Sequence, residues 1–590
     1  MTRAPTYLGE IISVSGASLQ VELTPQVRSG LLIIEGRTHR IGQVGSFVRI
    51  PQGYNDLYGV ISETSETVSI DESEFGERRL IKVELVGESI GAEFERGIGQ
   101  YPSINEEAHL VTEQDLKKIY GSHSEGQIVI GKLSSSDSVN VSVDLDNLVN
   151  RHSALLGSTG SGKSTSVASL LRSIVKDDDA GLSLPSARIV LFDIHGEYSS
   201  ALGDISSIYS VTPQAGEEKL CIPYWCVSPD NLIDFLCGAN ENVKNHFIDA
   251  IVAEKKQFVI DNKLDIEIEK ITPYTPLPFR LQKIWYDLVH ADNVNWKDED
   301  KSEPAYAENG KGDVEKLIAP RFEPPGAAKN PPHKGGAQSM KKQLDLMRSR
   351  LLEGQYSFFL HPDKWKPNSK NKIESDLADL IKLWIGRANP ITILDLSGMP
   401  SSRLDLLLGS VLDVLFESSI WGRNLDSGMR KLPLLLVMEE AHRYLAKENS
   451  GLAKDMVRRI AKEGRKFGVG SMLISQRPSE IDETILSQCG TLFALRINNA
   501  TDRTRVKSAM SDGLSGIVDS LPILRTGEAI VTGEAAKLPM RVRFKIPPKG
   551  KFPDSRDPEV TKSWAEPYED RDYSSLVKSW RLQNAHIIEK

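Results

Sequence analysis

The chain has 590 residues, of which 39% are hydrophobic and 26% charged, and its formal net charge is −9. This length is several times that of a typical single domain, and the composition excludes wholesale disorder and a fibrous class. The acidic balance argues against a surface coated with phosphate-binding residues, although a local basic channel is compatible with it.

Neither a membrane span nor a disulfide framework is expected. The apolar run "LPLLLVM" is far shorter than the roughly 18 residues that a bilayer-spanning helix needs, and the N-terminal segment has no apolar signal-peptide stretch. The four cysteines, Cys221, Cys226, Cys237 and Cys489, show no paired CxxC spacing. We therefore expect a cytoplasmic protein with reduced cysteines.

Residues 1–98 predict a small N-terminal β-barrel. Segments such as "YLGEIISV", "SLQVEL" and "LIKVELVG" alternate apolar and polar residues and are separated by Gly, Pro or Asn. Alternation at this spacing is typical of a small antiparallel barrel or sandwich. A connector with one short helix and a strand pair is expected to follow.

The next part of the chain predicts an α/β core with a mainly parallel sheet. Apolar runs alternate with helical patterns, and the runs are "HSALLG", "ARIVLFDI", "ITILDL", "LPLLLVMEE", "VGSMLIS" and "TLFALRI". Continuous runs of this kind indicate strands that are buried on both faces of a doubly wound sheet. We place the connector and the first part of the core in residues 99–228 and its second part in residues 389–546.

A helical insertion is predicted between the two parts of the core, over residues 229–388. Inside it, residues 296–336 are rich in Pro, Gly, Lys and acidic side chains, which predicts a long surface loop. After a hairpin formed by "GEAIVTG" and "RVRFKI", residues 547–590 are expected to form an extended, Pro-rich C-terminal arm.

The stretch "GSTGSGKST" predicts a phosphate-binding loop because it fits GxxxxGK[ST] between a strand and a helix. Its residues are Gly157, Ser158, Thr159, Gly160, Ser161, Gly162, Lys163, Ser164 and Thr165. The glycines allow backbone N–H groups to close around phosphate oxygens at a helix N-terminus. Lys163 would reach the β- and γ-phosphates and Ser164 would complete a magnesium shell, so ATP and Mg²⁺ are the expected cofactors.

A second acidic motif, "LLLVMEEAHRYL", places Glu439 and Glu440 at the end of a buried strand. Two adjacent carboxylates are costly there unless they face a cation and a water molecule. We expect Glu439 to orient a magnesium-bound water and Glu440 to act as the general base for the attacking water. A solvent-exposed pair at the strand end is the alternative interpretation.

Two further polar positions follow neighbouring strands. Gln476, in "QRPSEID", is placed where its amide could contact the γ-phosphate and the attacking water. Asp193, in "FDIHGEY", is expected beside the magnesium-bound waters. A metal triad of Asp193, His195 and Glu197 is the alternative, but no further ligand cluster supports it.

The basic segment "DMVRRIAKEGRKFG" contains Arg465, which we expect to reach the γ-phosphate bound by a neighbouring subunit. The planar guanidinium suits the charge that develops on that phosphate in the transition state. An ordinary solvated helix face is the alternative. Arg151, which precedes the phosphate loop, is a second candidate for the same role.

Several segments together resemble HerA-type ATPases of the FtsK/HerA branch of P-loop motors. They are "RIGQVGSFVRIPQGYNDLYGVIS", "VNRHSALLGSTGSGKST", "FDIHGEY", "VMEEAHRYL", "EGRKFGVGSMLISQRPSEID" and "GEAIVTG". The resemblance implies a RecA-like core in a homohexameric ring that hydrolyses ATP at subunit interfaces, with double-stranded DNA in its central channel. It also implies that Arg465 and Arg151 act in trans and that Gln476 is a sensor.

The resemblance also implies a partner effector, such as a nuclease or a sirtuin-type NADase. The insertion is larger than in the archaeal type, which favours a bacterial relative in antiphage defence. The expected function is an ATP-driven translocase on double-stranded DNA, and the alternative is a ring scaffold that activates an effector while ATP turnover regulates it. A conjugation or secretion ATPase is disfavoured by the barrel-like N-terminal region, and an ABC transporter ATPase by the missing LSGGQ-like signature.

Overall fold

The computed structural model describes most of the chain, in the following ranges: 4–27, 31–34, 37–71, 74–91, 93–120, 126–238, 241–324, 333–334, 336, 339–397, 399, 401–448, 450–510, 518–555, 560–567 and 572–581. The chain divides into two compact units. The first comprises Met1–Ile208, Arg387–Ser401 and Ser419–Pro567, and the second comprises Tyr209–Gly386, Ser402–Ser418 and Tyr568–Lys590.

The N-terminal region forms the predicted β-barrel. Its strands are β1 (Tyr7–Ser15), β2 (Ser18–Leu23), β3 (Leu31–Ile34), β4 (Arg37–Arg40), β5 (Phe47–Gln52), β6 (Asn55–Asp71), β7 (Glu74–Ile90), β8 (Glu93–Arg96) and β9 (Glu107–Leu110). The main sheet runs in the order β2-β1-β9-β5-β6-β7-β8, and an additional pairing of β2 with β7 closes it. Alternate residues such as Ile11, Val21 and Val83 are fully buried inside, which confirms the alternation seen in the sequence.

The connector and the first part of the α/β core follow the barrel. Their elements are α1 (Glu113–Tyr120), β10 (Gln127–Leu133), β11 (Ser136–Asp144), α2 (Leu145–Asn150), β12 (Ser153–Leu156), α3 (Lys163–Val175), β13 (Lys176–Asp177), β14 (Leu182–Ser183), β15 (Ile189–Asp193), α4 (Ser199–Leu202) and β16 (Ser206–Ser210). The expected strand pair is β10 and β11, which are antiparallel. Asp144 caps α2 by accepting a hydrogen bond from the Asn147 amide at 2.7 Å.

The region of the predicted insertion is mainly helical. Its elements are β17 (Glu218–Lys219), α5 (Pro229–Cys237), α6 (Glu241–Asn262), α7 (Leu281–Asn293), β18 (Asn295–Trp296), β19 (His333–Lys334), α8 (Lys341–Leu352), α9 (Ser357–Leu360) and α10 (Leu377–Ile385). The described part of the predicted loop folds back on itself, because bridges join Trp296 to Pro304 and Tyr306 to Phe322. Residues 325–332 and 335 of that predicted loop lie outside the described residues.

The second part of the core and the C-terminal arm complete the chain. Their elements are β20 (Ile391–Asp395), α11 (Ser401–Trp421), β21 (Leu434–Met438), α12 (Leu452–Phe467), β22 (Val469–Ser475), α13 (Glu483–Ser487), β23 (Thr491–Ala494), α14 (Ala500–Ala509), β24 (Glu528–Gly533), β25 (Met540–Phe544), α15 (Val560–Ala565) and α16 (Ser574–Arg581). Strands β24 and β25 are the predicted hairpin.

One mixed sheet organises the core, in the order β11-β10-β25-β24-β23-β12-β22-β21-β15-β20-β16-β17. From β23 to β20 neighbouring strands are parallel, and every residue of these six strands is buried. They are the six apolar runs of the sequence, so the prediction of a mainly parallel, doubly covered sheet is confirmed. We call the side where these strands end the carboxyl edge and the side where they begin the amino edge.

Two further expectations concern membranes and cysteines. Within the ranges given above, no helix combines the length and the apolar character that crossing a bilayer requires. Cys221, Cys226, Cys237 and Cys489 are all free thiols. For Cys221, burial is the largest of the effects that raise its pKa to about 12, so this thiol stays protonated near neutral pH.

Candidate nucleotide-binding and hydrolysis site

The phosphate loop lies at the carboxyl edge, between β12 and α3. Helix α3 begins at Lys163 and is preceded by Gly162, which has a left-handed φ of 89°. A Cβ at Gly162 would lie 2.7 Å from the Gly527 nitrogen, so only glycine fits there. No side chain caps this helix N-terminus, which leaves its first N–H groups available to an anionic ligand.

Backbone contacts hold the phosphate loop against its neighbours. The Ser158 amide donates to the Arg496 carbonyl at 2.9 Å, and the Gly527 amide donates to the Ser161 carbonyl at 2.9 Å. The Arg496 guanidinium also donates to the Gly160 carbonyl at 2.8 Å. Sequence analysis missed Arg496, although its position just after β23, the strand next to β12, was a usable signal.

Glu440 lies at the centre of the site and is 5% exposed. Its backbone has a left-handed φ of 45°, an unfavourable conformation for a residue with a side chain. The Lys163 Nζ lies 3.7 Å from Glu440 Oε1, and Gln476 Nε2 donates to Glu440 Oε2 at 3.0 Å. The three residues predicted for hydrolysis in cis are therefore brought together by three separate segments.

Gln476 also contacts the phosphate loop. Its Oε1 accepts a hydrogen bond from the Thr159 hydroxyl at 2.7 Å, while its Nε2 binds Glu440. The amide therefore bridges the phosphate loop and the predicted general base. This position is compatible with the predicted sensor role, since a bound γ-phosphate could replace Thr159 or Glu440 as a hydrogen-bond partner of the Gln476 amide.

Glu439 is 3% exposed, and its Oε2 is buried without a hydrogen-bond partner in the described part of the chain. Burial raises the pKa of Glu439 well above its usual range, and the negative charges of Asp193 and Glu197 add to this effect. A buried carboxylate oxygen without a partner fits a divalent cation. Glu439 and Ser164 would hold Mg²⁺ there, and the ion would neutralise charge on the β- and γ-phosphates.

Asp193 is fully buried, and its carboxylate holds the turn that follows β15. Asp193 Oδ1 accepts from the amides of Gly196 at 2.8 Å and Glu197 at 3.2 Å, and Oδ2 accepts from the amide of Tyr198 at 2.9 Å. Burial, with the charge of Asp395, raises the pKa of Asp193 to about 6. The carboxylate thus shapes the backbone beside Glu439, and its contact with magnesium-bound waters stays a prediction.

The alternative metal triad of Asp193, His195 and Glu197 is not formed. Among the residues with described positions, no group of three His, Cys, Asp or Glu side chains is arranged to hold a metal ion.

His442 is a further residue of the site that sequence analysis missed. Its Nδ1 lies 3.2 Å from Glu440 Oε2 and 3.2 Å from the Ser475 hydroxyl. Burial lowers the pKa of His442, so the neutral ring can donate one N–H to Glu440. The signal was its place in "EEAHR", which forms a short 3₁₀ turn directly after Glu440.

The two arginines predicted to act in trans lie at the amino edge. Arg151 precedes β12, and its Nη1 is 3.0 Å from Glu534 Oε2. Arg465 lies in the last turn of α12, and its exposed guanidinium has no ion pair or hydrogen bond to any described residue. At about 3.3 Å per residue, β12 and β22 place both arginines roughly 20 Å from the phosphate loop of their own chain.

The sheet, the glycine-rich loop and the adjacent carboxylates define a P-loop ATPase with an α/β fold. Residues 128–414 match the model of the family described as helicase HerA, central domain.

Individual proteins are similar to this chain over most of its length. The chain is 28% identical over 475 residues to the DNA double-strand break repair helicase HerA of Sulfurisphaera tokodaii, covering 80% of this chain and 79% of that protein. It is 29% identical over 476 residues to the protein of the same name from Sulfolobus acidocaldarius, with coverage of 80% and 79%. Among solved structures, VirB4 of Thermoanaerobacter pseudethanolicus covers 72% of this chain and 98% of its own, at 15% identity and a TM-score of 0.45.

Proposed function

We propose that this chain is an ATP-driven motor on double-stranded DNA that works as a homohexameric ring with composite ATP sites. The observation that supports it is the separation of Lys163, Glu440 and Gln476 at the carboxyl edge from Arg151 and Arg465 at the amino edge. An arginine that cannot reach the phosphates of its own chain can reach those of a neighbour. A ring in which each amino edge meets the next carboxyl edge would complete every site.

Hydrolysis in this proposal uses the contacts already present. ATP binds with its phosphates against the amides of the phosphate loop, and Lys163 turns from Glu440 to the β- and γ-phosphates. Glu440, released from Lys163 and oriented by His442, accepts a proton from the attacking water. Gln476 then holds that water and the γ-phosphate, and arginines of the neighbouring copy stabilise the developing negative charge.

DNA as the substrate is supported by the relatives, which are named as DNA double-strand break repair helicases. The net charge of −9 requires the phosphate-contacting lysines and arginines to be concentrated in one local surface, such as a channel. Translocation would then be powered by ATP hydrolysis at the composite sites.

The proposed partner is an effector enzyme, a nuclease or a sirtuin-type NADase, with a role in antiphage defence. The resemblance to HerA-type ATPases supports this part. Purification of the tagged chain with the product of its neighbouring gene, followed by size measurement of the complex, would test it. We expect a stable complex whose effector activity depends on ATP turnover, and activity that survives Glu440→Gln would instead favour the scaffold function.

The motor function is tested by measuring ATP turnover with and without double-stranded DNA over a range of salt concentrations. DNA should stimulate turnover, and the stimulation should fall steeply as salt rises, because phosphate contacts release counterions. The Glu440→Gln variant should bind DNA and ATP but should not hydrolyse ATP at a significant rate. Turnover that is unaffected by DNA at every salt concentration would contradict the motor.

A further inference from the structure

A cavity of about 380 Å³ lies at the amino edge, next to Arg151. It is formed by α2, by the segment before β15 and by the segment before β21. Its wall is mostly apolar and includes Leu145, Val149, Ile174, Leu184 and Pro433. Asn150, the residue directly before Arg151, also lines it, so a ligand in this cavity would sit beside one of the two trans arginines.

Arg188 lines this cavity, as does the exposed carboxylate Asp146, with which it forms no ion pair. Its side chain is half-buried, and neither an ion pair nor a hydrogen bond joins its guanidinium to any described residue. Burial lowers the pKa of Arg188. Its backbone is fixed, since its carbonyl accepts from the Leu435 amide at 2.9 Å. A partly desolvated cation in an apolar wall favours an anionic group supplied from outside the chain.

The carboxyl edge displays groups that complement this cavity. A short 3₁₀ helix, Leu521–Ile523, lies close to the phosphate loop. Its Leu521 carbonyl accepts a hydrogen bond from the Ile497 amide at 3.4 Å, and the carbonyl of the preceding residue, Arg496, accepts one from Ser158 of the loop at 2.9 Å. The Ile523 side chain is 73% exposed. Asp519 is exposed as well and forms no ion pair with a described residue.

We propose that a second copy of this chain fills the cavity, with Ile523 of one copy entering the apolar cavity of the next and Asp519 pairing with Arg188. This proposal rests on the proposed ring with composite sites and names the contact that sets its register. Because the Ile523 segment adjoins the phosphate loop and the cavity adjoins Arg151, the contact would align the arginine with the neighbouring nucleotide. Charge complementarity and the apolar wall both favour this occupant.

The charge pair is tested by exchange of its two members. Arg188→Asp and Asp519→Arg should each raise the subunit concentration needed for half-assembly about tenfold or more, as for a buried interfacial ion pair. The double variant should recover most of the assembly, because the pair is restored with reversed sign. Lys342→Asp, the same charge change at an exposed position of α8, is the matched control and should assemble normally.

The placement of Ile523 is tested by cross-linking between chains. Ser186 lines the cavity, so Ser186→Cys mixed with Ile523→Cys should give covalent dimers with a short bismaleimide, whereas either variant alone should give none above background. Missing cross-links together with no rescue by charge exchange would overturn this contact, even if Arg465→Ala still abolished turnover. Normal turnover by Arg151→Ala and Arg465→Ala would instead overturn the ring with composite sites.

Discussion

At the scale of single residues, Glu440 is held by groups from three different segments. Lys163 comes from the phosphate loop, Gln476 from the end of β22 and His442 from the turn after β21. Such a constellation keeps a strained and buried carboxylate in one orientation before any substrate arrives. The preorganisation is consistent with a general base that must meet a water molecule at a defined position.

Glu440→Gln should lower the rate of ATP hydrolysis by about 10² to 10⁴, the range for loss of a general base. ATP binding should persist, because Lys163 and the amides of the phosphate loop are unchanged. Single-turnover hydrolysis and binding of a fluorescent ATP analogue measure the two effects separately. Glu448→Gln, which alters an exposed carboxylate nearby, should behave as the native protein.

His442→Ala should lower kcat about tenfold, the effect of losing one hydrogen bond of roughly 1–1.5 kcal/mol to the base. KM for ATP should change little, since His442 contacts Glu440 and Ser475 and no residue of the phosphate loop. His442→Asn keeps a donor and should recover part of the rate. A rise in KM with unchanged kcat would contradict this positioning role.

The residues that sequence analysis placed correctly at the carboxyl edge are those that belong to a local motif. Lys163, Glu440 and Gln476 each follow a strand that the sequence marks clearly, and parallel strands bring their ends to one edge. His442 and Arg496 were missed because their partners depend on the order and register of neighbouring strands. Register of this kind is fixed by tertiary packing, which a local pattern does not specify.

At the scale of elements, a buried histidine joins the first strand of the core to its neighbour. His152 lies at the start of β12, is 5% exposed and has a left-handed φ of 53°. Its Nδ1 accepts a hydrogen bond from the Ser471 amide of β22 at 3.1 Å. An accepting Nδ1 is unprotonated, and burial correspondingly lowers the pKa of His152 to about 4.

This histidine should make the core sensitive to acid. Because the folded-state pKa is below the ordinary value, the neutral ring stabilises the fold above about pH 6.5, and this contribution is lost as the pH falls towards 4. The shift corresponds to a contribution on the order of 3 kcal/mol. The Tm of the native protein should therefore fall steeply as the pH is lowered over this range.

His152→Asn is the variant that isolates this effect, since asparagine tolerates a left-handed backbone but does not titrate there. It should be less stable than the native protein at pH 7, and the difference in Tm should shrink as the pH approaches 4. A difference in Tm that is the same at every pH between 4 and 7 would show that the ring acts by packing alone.

The elements themselves were largely predictable because their strands are buried on both faces. The side-chain contacts that join one element to another were less predictable. Helix α12 has a basic sequence that allowed a solvated face, yet Lys454 is 2% exposed and donates to the carbonyls of Ala446 and Lys447 at 2.8 Å each. Arg458 pairs with Asp482 at 2.6 Å. Part of the basic run therefore fixes the segments after β21 and β22, and Arg465 is left exposed at the far end.

At the scale of the whole molecule, Arg151 and Arg465 differ in the contacts that they would lose if they acted on a neighbour in the proposed ring. Arg151 has to exchange its ion pair with Glu534, whereas Arg465 has no such partner in the described chain. Arg465 therefore does not have to break an ion pair within the described chain before it contacts another group. In the proposed ring, Arg465→Ala should therefore lower ATP turnover more than Arg151→Ala.

Mixing two inactive variants tests whether the sites are shared between copies. Glu440→Gln lacks the base in its own site, and Arg465→Ala lacks the arginine that it would supply to its neighbour. In a mixed assembly, a site formed by the intact Glu440 of one chain and the intact Arg465 of the other contains both groups. ATP turnover should therefore reappear on mixing, although each variant alone is inactive.

The control for this experiment is Arg465→Ala mixed with the double variant that carries both changes. No site in that mixture combines Glu440 with Arg465, so turnover should stay absent even though mixed assemblies form. Native mass spectrometry establishes that the chains have exchanged in both mixtures. If mixed assemblies of the two single variants formed without recovering turnover, Arg465 could not be acting across the subunit boundary, and its position at the amino edge would require a different explanation.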